Sequence, residues 1–297
     1  MHAISAEHRK LGGGVAATQQ HMSAMVTRFD EVGGLRVRVA EGGVQDATTV
    51  LMTSPWPESI VAFRNVWPAL ADRYHIVALD LPGFGQSASR SGVLNPRAMG
   101  DLLLGAIGAF GLKTPHVVAQ DVGTSAALFA ALTEPDAFAS LTIGSGIMHE
   151  ELATGSLKEL MEAPALDQLA GLDGAQLITD ALNRLLPTLD QESLADYQTS
   201  YKGDRFAVSA EYVRSYREWL PQLRSALPRV RTPVNVLYGR RDPLVPRVHA
   251  EILVRGLPNV RHTPLDSGHL AWEEVSGIYA AELLDWITTG YRGFSRF

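Results

Sequence analysis

Pro115-His116-Val117-Val118-Ala119-Gln120-Asp121-Val122-Gly123-Thr124-Ser125 is the stretch whose reading decides the fold. Its first half is a short apolar run behind a proline, rich in β-branched residues, which is the pattern of a buried strand. Its second half opens into small residues, Ala126 to Leu132, that suit a closely packed helix. Between the two stands one carboxylate, Asp121. Ala119 two positions before it and Gly123 two positions after it leave room for a sharp bend, and such a strand-to-helix turn pushes its central side chain into the open. A serine is commonly presented in this way by Gly-x-Ser-x-Gly; here the presented group is an aspartate. Read alone, Asp121 is equally a helix N-cap whose carboxylate accepts the N–H of Thr124.

Working outward separates these readings. Upstream, the spacing predicts a helix from about Pro96 to Phe110, a strand His75 to Leu79 closed by Asp80-Leu81-Pro82-Gly83-Phe84-Gly85-Gln86-Ser87, a helix Phe63 to Ala71, and a strand Thr48 to Met52. That strand runs into Thr53-Ser54-Pro55-Trp56-Pro57-Glu58-Ser59, a loop stiffened by two prolines. Val26 to Val32 and Leu35 to Ala40 alternate around Gly33-Gly34, a hairpin signal. Downstream, Leu141 to Gly146 reads as a strand ending in small residues. From Ile147 to about Pro228 only amphipathic helical pieces follow (Leu157 to Met161, Ala175 to Leu186, Ala210 to Leu220), broken at Pro164, Pro187, Lys202-Gly203 and Pro221. Strand Val234 to Tyr238, a helix near Pro246 to Arg255, strand Val260 to Leu265 and a helix Glu273 to Thr288 complete the chain. Alternating strands and helices predict an α/β fold with a mostly parallel sheet covered on both faces and an inserted helical cap. The expected division is a flexible leader at 1–24, a core at 25–146 and 229–297, and a cap at 147–228.

At 297 residues, 46% hydrophobic and 20% charged, the chain has enough apolar material for one large core. A net charge of -6 without basic runs argues against a nucleic-acid or acidic-membrane partner and for a small hydrophobic molecule as substrate. The absence of cysteine excludes disulfides and a thiol nucleophile and fits the cytoplasm. No stretch has signal-peptide or membrane-spanning character, and Met22 or Met25 could serve as the start. No metal or cofactor is expected, and His149-Glu150-Glu151 lacks a second cluster to complete a metal site. The oligomeric state, a homodimer included, is left open.

From about residue 26 to 290 the chain resembles the α/β-hydrolase superfamily, and within it the aspartate-nucleophile branch of epoxide hydrolases and haloalkane or fluoroacetate dehalogenases. Ser54 to Ser59, the Asp80 to Ser87 loop, Gln120-Asp121-Val122-Gly123, Gly239-Arg240-Arg241-Asp242 and Ser267-Gly268-His269 carry the likeness, each just after an expected strand and in the family's order. The resemblance implies Asp121 as nucleophile, Asp242 as the acid that orients a histidine, and His269 as the base, with main-chain N–H groups of Trp56 and Val122 as the oxyanion hole. Asp80 is implied to be scaffold. Ser54-Pro55 stands where these families have His-Gly.

An aspartate rather than a serine has a chemical meaning. A serine attacking an sp³ carbon forms an ether, whereas a carboxylate forms an ester that water can cleave. Haloalkane dehalogenases typically carry Trp after the nucleophile and fluoroacetate dehalogenases Arg; this chain has Val122. Epoxide opening needs a proton donor for the alkoxide, which relatives supply as cap tyrosines. Tyr216 falls where such a residue is expected, and Tyr201 and Tyr212 are further candidates. An epoxide hydrolase is therefore the first expectation. A haloalkane dehalogenase, with the Trp56 indole as a halide contact, is the second, and a non-hydrolytic ligand-binding protein of the same fold the third.

Overall fold

The computed structural model describes residues 25–162 and 171–292. The expected leader and the break at Pro164 lie outside them. Eight strands form one sheet in the order β1-β2-β4-β3-β5-β6-β7-β8. Strand β1 (Thr27–Val32) pairs antiparallel with β2 (Leu35–Gly43) through the turn at Gly33 and Gly34, whose φ values of 59° and 73° are open to glycine at no steric cost. Strand β2 lies antiparallel to β4 (His75–Leu79). The remaining neighbours, β3 (Thr49–Thr53), β4, β5 (His116–Gln120), β6 (Ser140–Gly144), β7 (Val234–Gly239) and β8 (Val260–Leu265), pair in parallel. Strands β3 to β7 are buried along their whole lengths, as continuous apolar runs in a doubly covered sheet must be.

Helix α1 (Trp67–Ala71) precedes β4, α2 (Pro96–Ala109) precedes β5, and α3 (Val122–Thr133) follows β5. Between β6 and β7 run α4 (Gly155–Glu162), α5 (Gly174–Leu185), α6 (Gln191–Ser200) and α7 (Arg205–Ala226). Helix α8 (Val248–Gly256) joins β7 to β8, and α9 (Ala271–Glu274) and α10 (Ser276–Thr288) follow β8. Apolar clusters fill both faces of the sheet, one around α2, α3 and α7, the other around α1, α6 and α10. No helix among the described residues is long and apolar enough to cross a membrane.

Four expectations about local structure are corrected. The helix expected at Phe63 to Ala71 is a 3₁₀ turn at Ile60–Phe63 followed by α1, which Pro68 restarts. Helix α7 runs through Pro221 instead of ending there; the proline is exposed, so the carbonyl left without its N–H partner can face water. Helix α6 was not foreseen, because its apolar stripe is narrow; Asp190 caps it by accepting the N–H of Ser193 at 2.8 Å. The closing helix is split at Val275 into α9 and α10.

Candidate active site

The bend after β5 is real and sharp. Asp121 adopts φ 51° and ψ −118°, a conformation that non-glycine residues rarely take. Its N–H donates to Gly144 O at 2.8 Å, and its carbonyl accepts Thr124 N at 3.0 Å. Its side chain makes no cap bond. The N-cap alternative thus fails on geometry: the main chain takes the Thr124 N–H, and the carboxylate makes no cap bond to it. Gly123 is required by close approach, since a Cβ there would sit 2.4 Å from Thr53 Oγ1.

Three strand ends converge on this carboxylate. The Ser54–Ser59 loop after β3 brings Trp56 N to 2.7 Å from Asp121 Oδ2. After β7, Asp242 Oδ1 accepts the N–H groups of Leu244 and Val245 at 2.8 Å each. After β8, His269 donates from Nδ1 to Asp242 Oδ2 at 2.7 Å, which leaves Nε2 as the unprotonated nitrogen when the ring is neutral. Burial raises the Asp121 carboxyl to about 6, against the opposing pull of His269 and of the N–H groups of Trp56 and Val122. For His269, burial acts downward but is outweighed by the carboxylates of Asp242 and Asp121, so its pKa lies above the ordinary histidine value.

Asp121 and His269 open into a cavity of about 450 Å³ whose other walls are chiefly apolar, among them Val122, Ile147, Ile178, Phe206 and Val213. Tyr216, on α7, also lines it, beside Ser125 and Tyr212. The other two tyrosines do not reach it. Tyr212 donates to Val122 O at 2.8 Å and meets Ser125 Oγ at 2.9 Å, and Tyr201 turns to Glu58 O at 3.3 Å. Burial raises the pKa of all three phenols, so each keeps its proton at neutral pH. Trp56 lines the cavity, yet its Nε1 donates to Ser209 Oγ at 3.0 Å. Among the described residues no group of three or more His, Cys, Asp or Glu side chains gathers as a metal site.

The sequence pattern of the α/β hydrolase fold matches residues 48–274, most of the chain. The chain belongs to the α/β-hydrolase-fold family. An uncharacterised hydrolase of Bacillus subtilis, YugF, is 26% identical over 246 residues, covering 80% of this chain and 89% of that protein. Among solved structures, the haloalkane dehalogenase DbeA of Bradyrhizobium elkani superposes with a TM-score of 0.76 at 22% identity, over 89% of this chain and 97% of that one. The epoxide hydrolase CorEH does so with a TM-score of 0.75 at 20% identity, over 89% and 98%. At such identities the two structures speak for the fold.

This α/β hydrolase also places near the site groups that sequence reasoning missed. Glu58 is fully buried; its Oε2 accepts Trp272 Nε1 at 2.9 Å, and Oε1 has no partner among the described residues. Burial, then the charge of Glu273 and that of Asp121, push its carboxyl well above the ordinary range. An acid two residues after Trp56 in a proline-rich loop was the available signal. Around the same loop, Asp80 is fully buried and accepts Ile60 N at 2.8 Å and Gln86 N at 2.9 Å. Ser54 Oγ accepts the N–H of Leu81 at 3.2 Å. From above, Asp196 on α6 accepts Arg38 at 2.9 and 2.6 Å, Ser59 Oγ at 2.6 Å and Gln86 Nε2 at 3.2 Å. The residue that carries the Trp56 N–H is thus set in a loop clamped on both sides, with serine and proline in place of His-Gly.

Proposed function

We propose that this α/β hydrolase opens epoxides through an ester formed on Asp121. The observation that carries the reading is the carboxylate at the bend, held by the Trp56 N–H at 2.7 Å and sharing a cavity with His269 and a protonated tyrosine. With Oδ2 occupied by Trp56 N–H, Oδ1 is the oxygen that attacks a ring carbon. The carbon–oxygen bond of the ring breaks, its electron pair goes to the ring oxygen, and that oxygen takes the Tyr216 phenolic proton. His269 Nε2 then removes a proton from water, which attacks the ester carbonyl, and the charge that develops on Oδ2 meets the N–H groups of Trp56 and Val122. Collapse releases the second diol oxygen, protonated by His269, and the proton of the regenerated carboxyl group restores Tyr216. Asp242 keeps the His269 ring in the tautomer that makes Nε2 the acceptor.

A haloalkane substrate is less well supported, because the Trp56 indole N–H that would receive the halide is bonded to Ser209. The test is a trapped intermediate. His269→Gln, given a terminal epoxide, should gain the mass of one substrate on the peptide containing Asp121. In the unaltered enzyme, one turnover in heavy-oxygen water should place label in the Asp121 carboxyl group and none in the diol. Label in the first-turnover diol, with no adduct in the variant, would refute the mechanism.

A further inference from the structure

Trp56 carries two donors, and only one faces Asp121. The main-chain N–H meets Oδ2 at 2.7 Å, while the indole N–H is turned to Ser209 Oγ at 3.0 Å on α7. Ser209 is fully buried, and its own hydrogen goes to Phe206 O at 2.8 Å, so toward the indole it is purely an acceptor. The Phe206 ring stacks on the indole, with centroids 6.0 Å apart and planes 25° apart. Neighbouring residues of one helix therefore hold Trp56 by its edge and by its face.

The leaving group gives this arrangement a consequence. Displacement at an sp³ carbon by Asp121 expels either an oxygen, whose negative charge calls for a proton, or a halide, which departs with its electron pair as a stable anion and needs only hydrogen-bond donors. A phenol can give up its proton; an indole N–H keeps its proton at neutral pH but is an effective donor to an anion. Tyr216 lines the cavity, whereas the indole N–H of Trp56 is turned to Ser209. We infer that Ser209 is a specificity-determining residue: by holding the Trp56 indole N–H away from the cavity, it favours oxygen leaving groups over halides. This rests on Asp121 being the nucleophile, as proposed above.

Removing the Ser209 hydroxyl leaves the indole N–H without an acceptor, and a buried donor without a partner is destabilising enough to turn toward any acceptor the cavity can hold. Ser209→Ala is tested first, with Ser209→Cys, a much weaker acceptor of similar size, as the second variant. Chloride binding is read by chlorine-35 NMR line broadening with sodium chloride, and specificity by the rates on 1-bromohexane (bromide release) and 1,2-epoxyhexane (diol release). The unaltered protein should show no saturable chloride site. Either variant should gain a saturable chloride site and raise the bromide-to-diol ratio about tenfold. Adding Trp56→Phe to Ser209→Ala should cancel both gains. An unchanged chloride titration in both Ser209 variants, or a gain that survives without the indole, would overturn the inference. Failure of the unaltered protein to open any epoxide would instead count against the proposed function, and the chloride arm would still decide the role of Ser209.

Discussion

On the mechanism proposed above, Asp242→Asn should separate the two half-reactions. Asp242 Oδ1 holds two main-chain N–H groups at 2.8 Å and Oδ2 holds His269 Nδ1 at 2.7 Å. An asparagine must keep its carbonyl oxygen on the Leu244 and Val245 donors, because the reversed amide would set hydrogens against hydrogens and lose both bonds. Its NH₂ group then faces Nδ1, which has to become an acceptor, and the ring proton moves to Nε2, the nitrogen that must take a proton from water. The equivalent exchange in a serine protease lowers kcat about 10⁴-fold for the same reason. Here the breakdown of the ester should slow about 10³- to 10⁴-fold, or about 4 to 5 kcal/mol in barrier. Formation of the ester requires no base. Loss of the Asp242 charge removes one of the influences that raise the Asp121 pKa, so the attacking carboxylate stays ionised and this step should change by less than about tenfold. Rapid-quench single turnovers with a terminal epoxide, read by intact mass and by diol, should show one adduct per chain forming quickly and decaying slowly. Steady-state turnover within tenfold of the unaltered enzyme, with no adduct, would refute the argument.

Tyr216→Phe should slow ester formation about 10²-fold or more with little change in binding, since the hydroxyl is needed as the alkoxide forms; unaffected pre-steady-state ester formation would make Tyr216 a packing residue. The Asp121 carboxyl lies at about 6, and only its ionised form attacks, so single-turnover ester formation should rise as pH passes upward through about 6. On the proposed mechanism ester breakdown requires neutral His269, which Asp242 still holds toward its charged form once Asp121 is esterified, so breakdown should speed up as pH rises; single-turnover breakdown that slows with rising pH would refute the assignment of His269 as the base. Gly123→Ala should destabilise the fold by roughly 1 to 3 kcal/mol through the Thr53 Oγ1 contact, measured by chemical denaturation, and Thr53→Ala in the same chain should recover most of that loss.

The parts of this molecule legible in its sequence are those fixed by short-range patterns. Strands β4 and β8 could be bounded to the residue, because each is an apolar or alternating run closed by aspartate-containing loops. Asp121, Asp242 and His269 were identifiable because each follows a strand in a set order, and the structure brings them together within one cavity wall and one hydrogen bond. What stayed hidden depends on which way a side chain turns. Tyr201, Tyr212 and Tyr216 look alike in sequence, yet the backbone acceptors Glu58 O and Val122 O take two of them out of reach of the cavity. The same holds for Trp56, whose ring orientation depends on Ser209, 153 positions later. Nothing local in the sequence marks Glu58 as buried or Asp196 as a clamp; only the fold buries the one and surrounds the other with donors.

The Asp196 clamp also fixes one edge of the helical insertion to the sheet. Lifting α6 away from the sheet would strip Arg38, whose side chain is only 7% exposed, of both carboxylate oxygens and would release Ser59 from the loop that carries Trp56. That edge of the insertion acts as a fixed post. On the opposite edge, Leu172 and Leu177 line the cavity while 42% and 39% exposed, flanked by the exposed side chains of Glu159 and Arg184. Exposed apolar side chains thus border the cavity on the side of α4 and α5, whereas the side that carries the donor at Trp56 is pinned through Asp196.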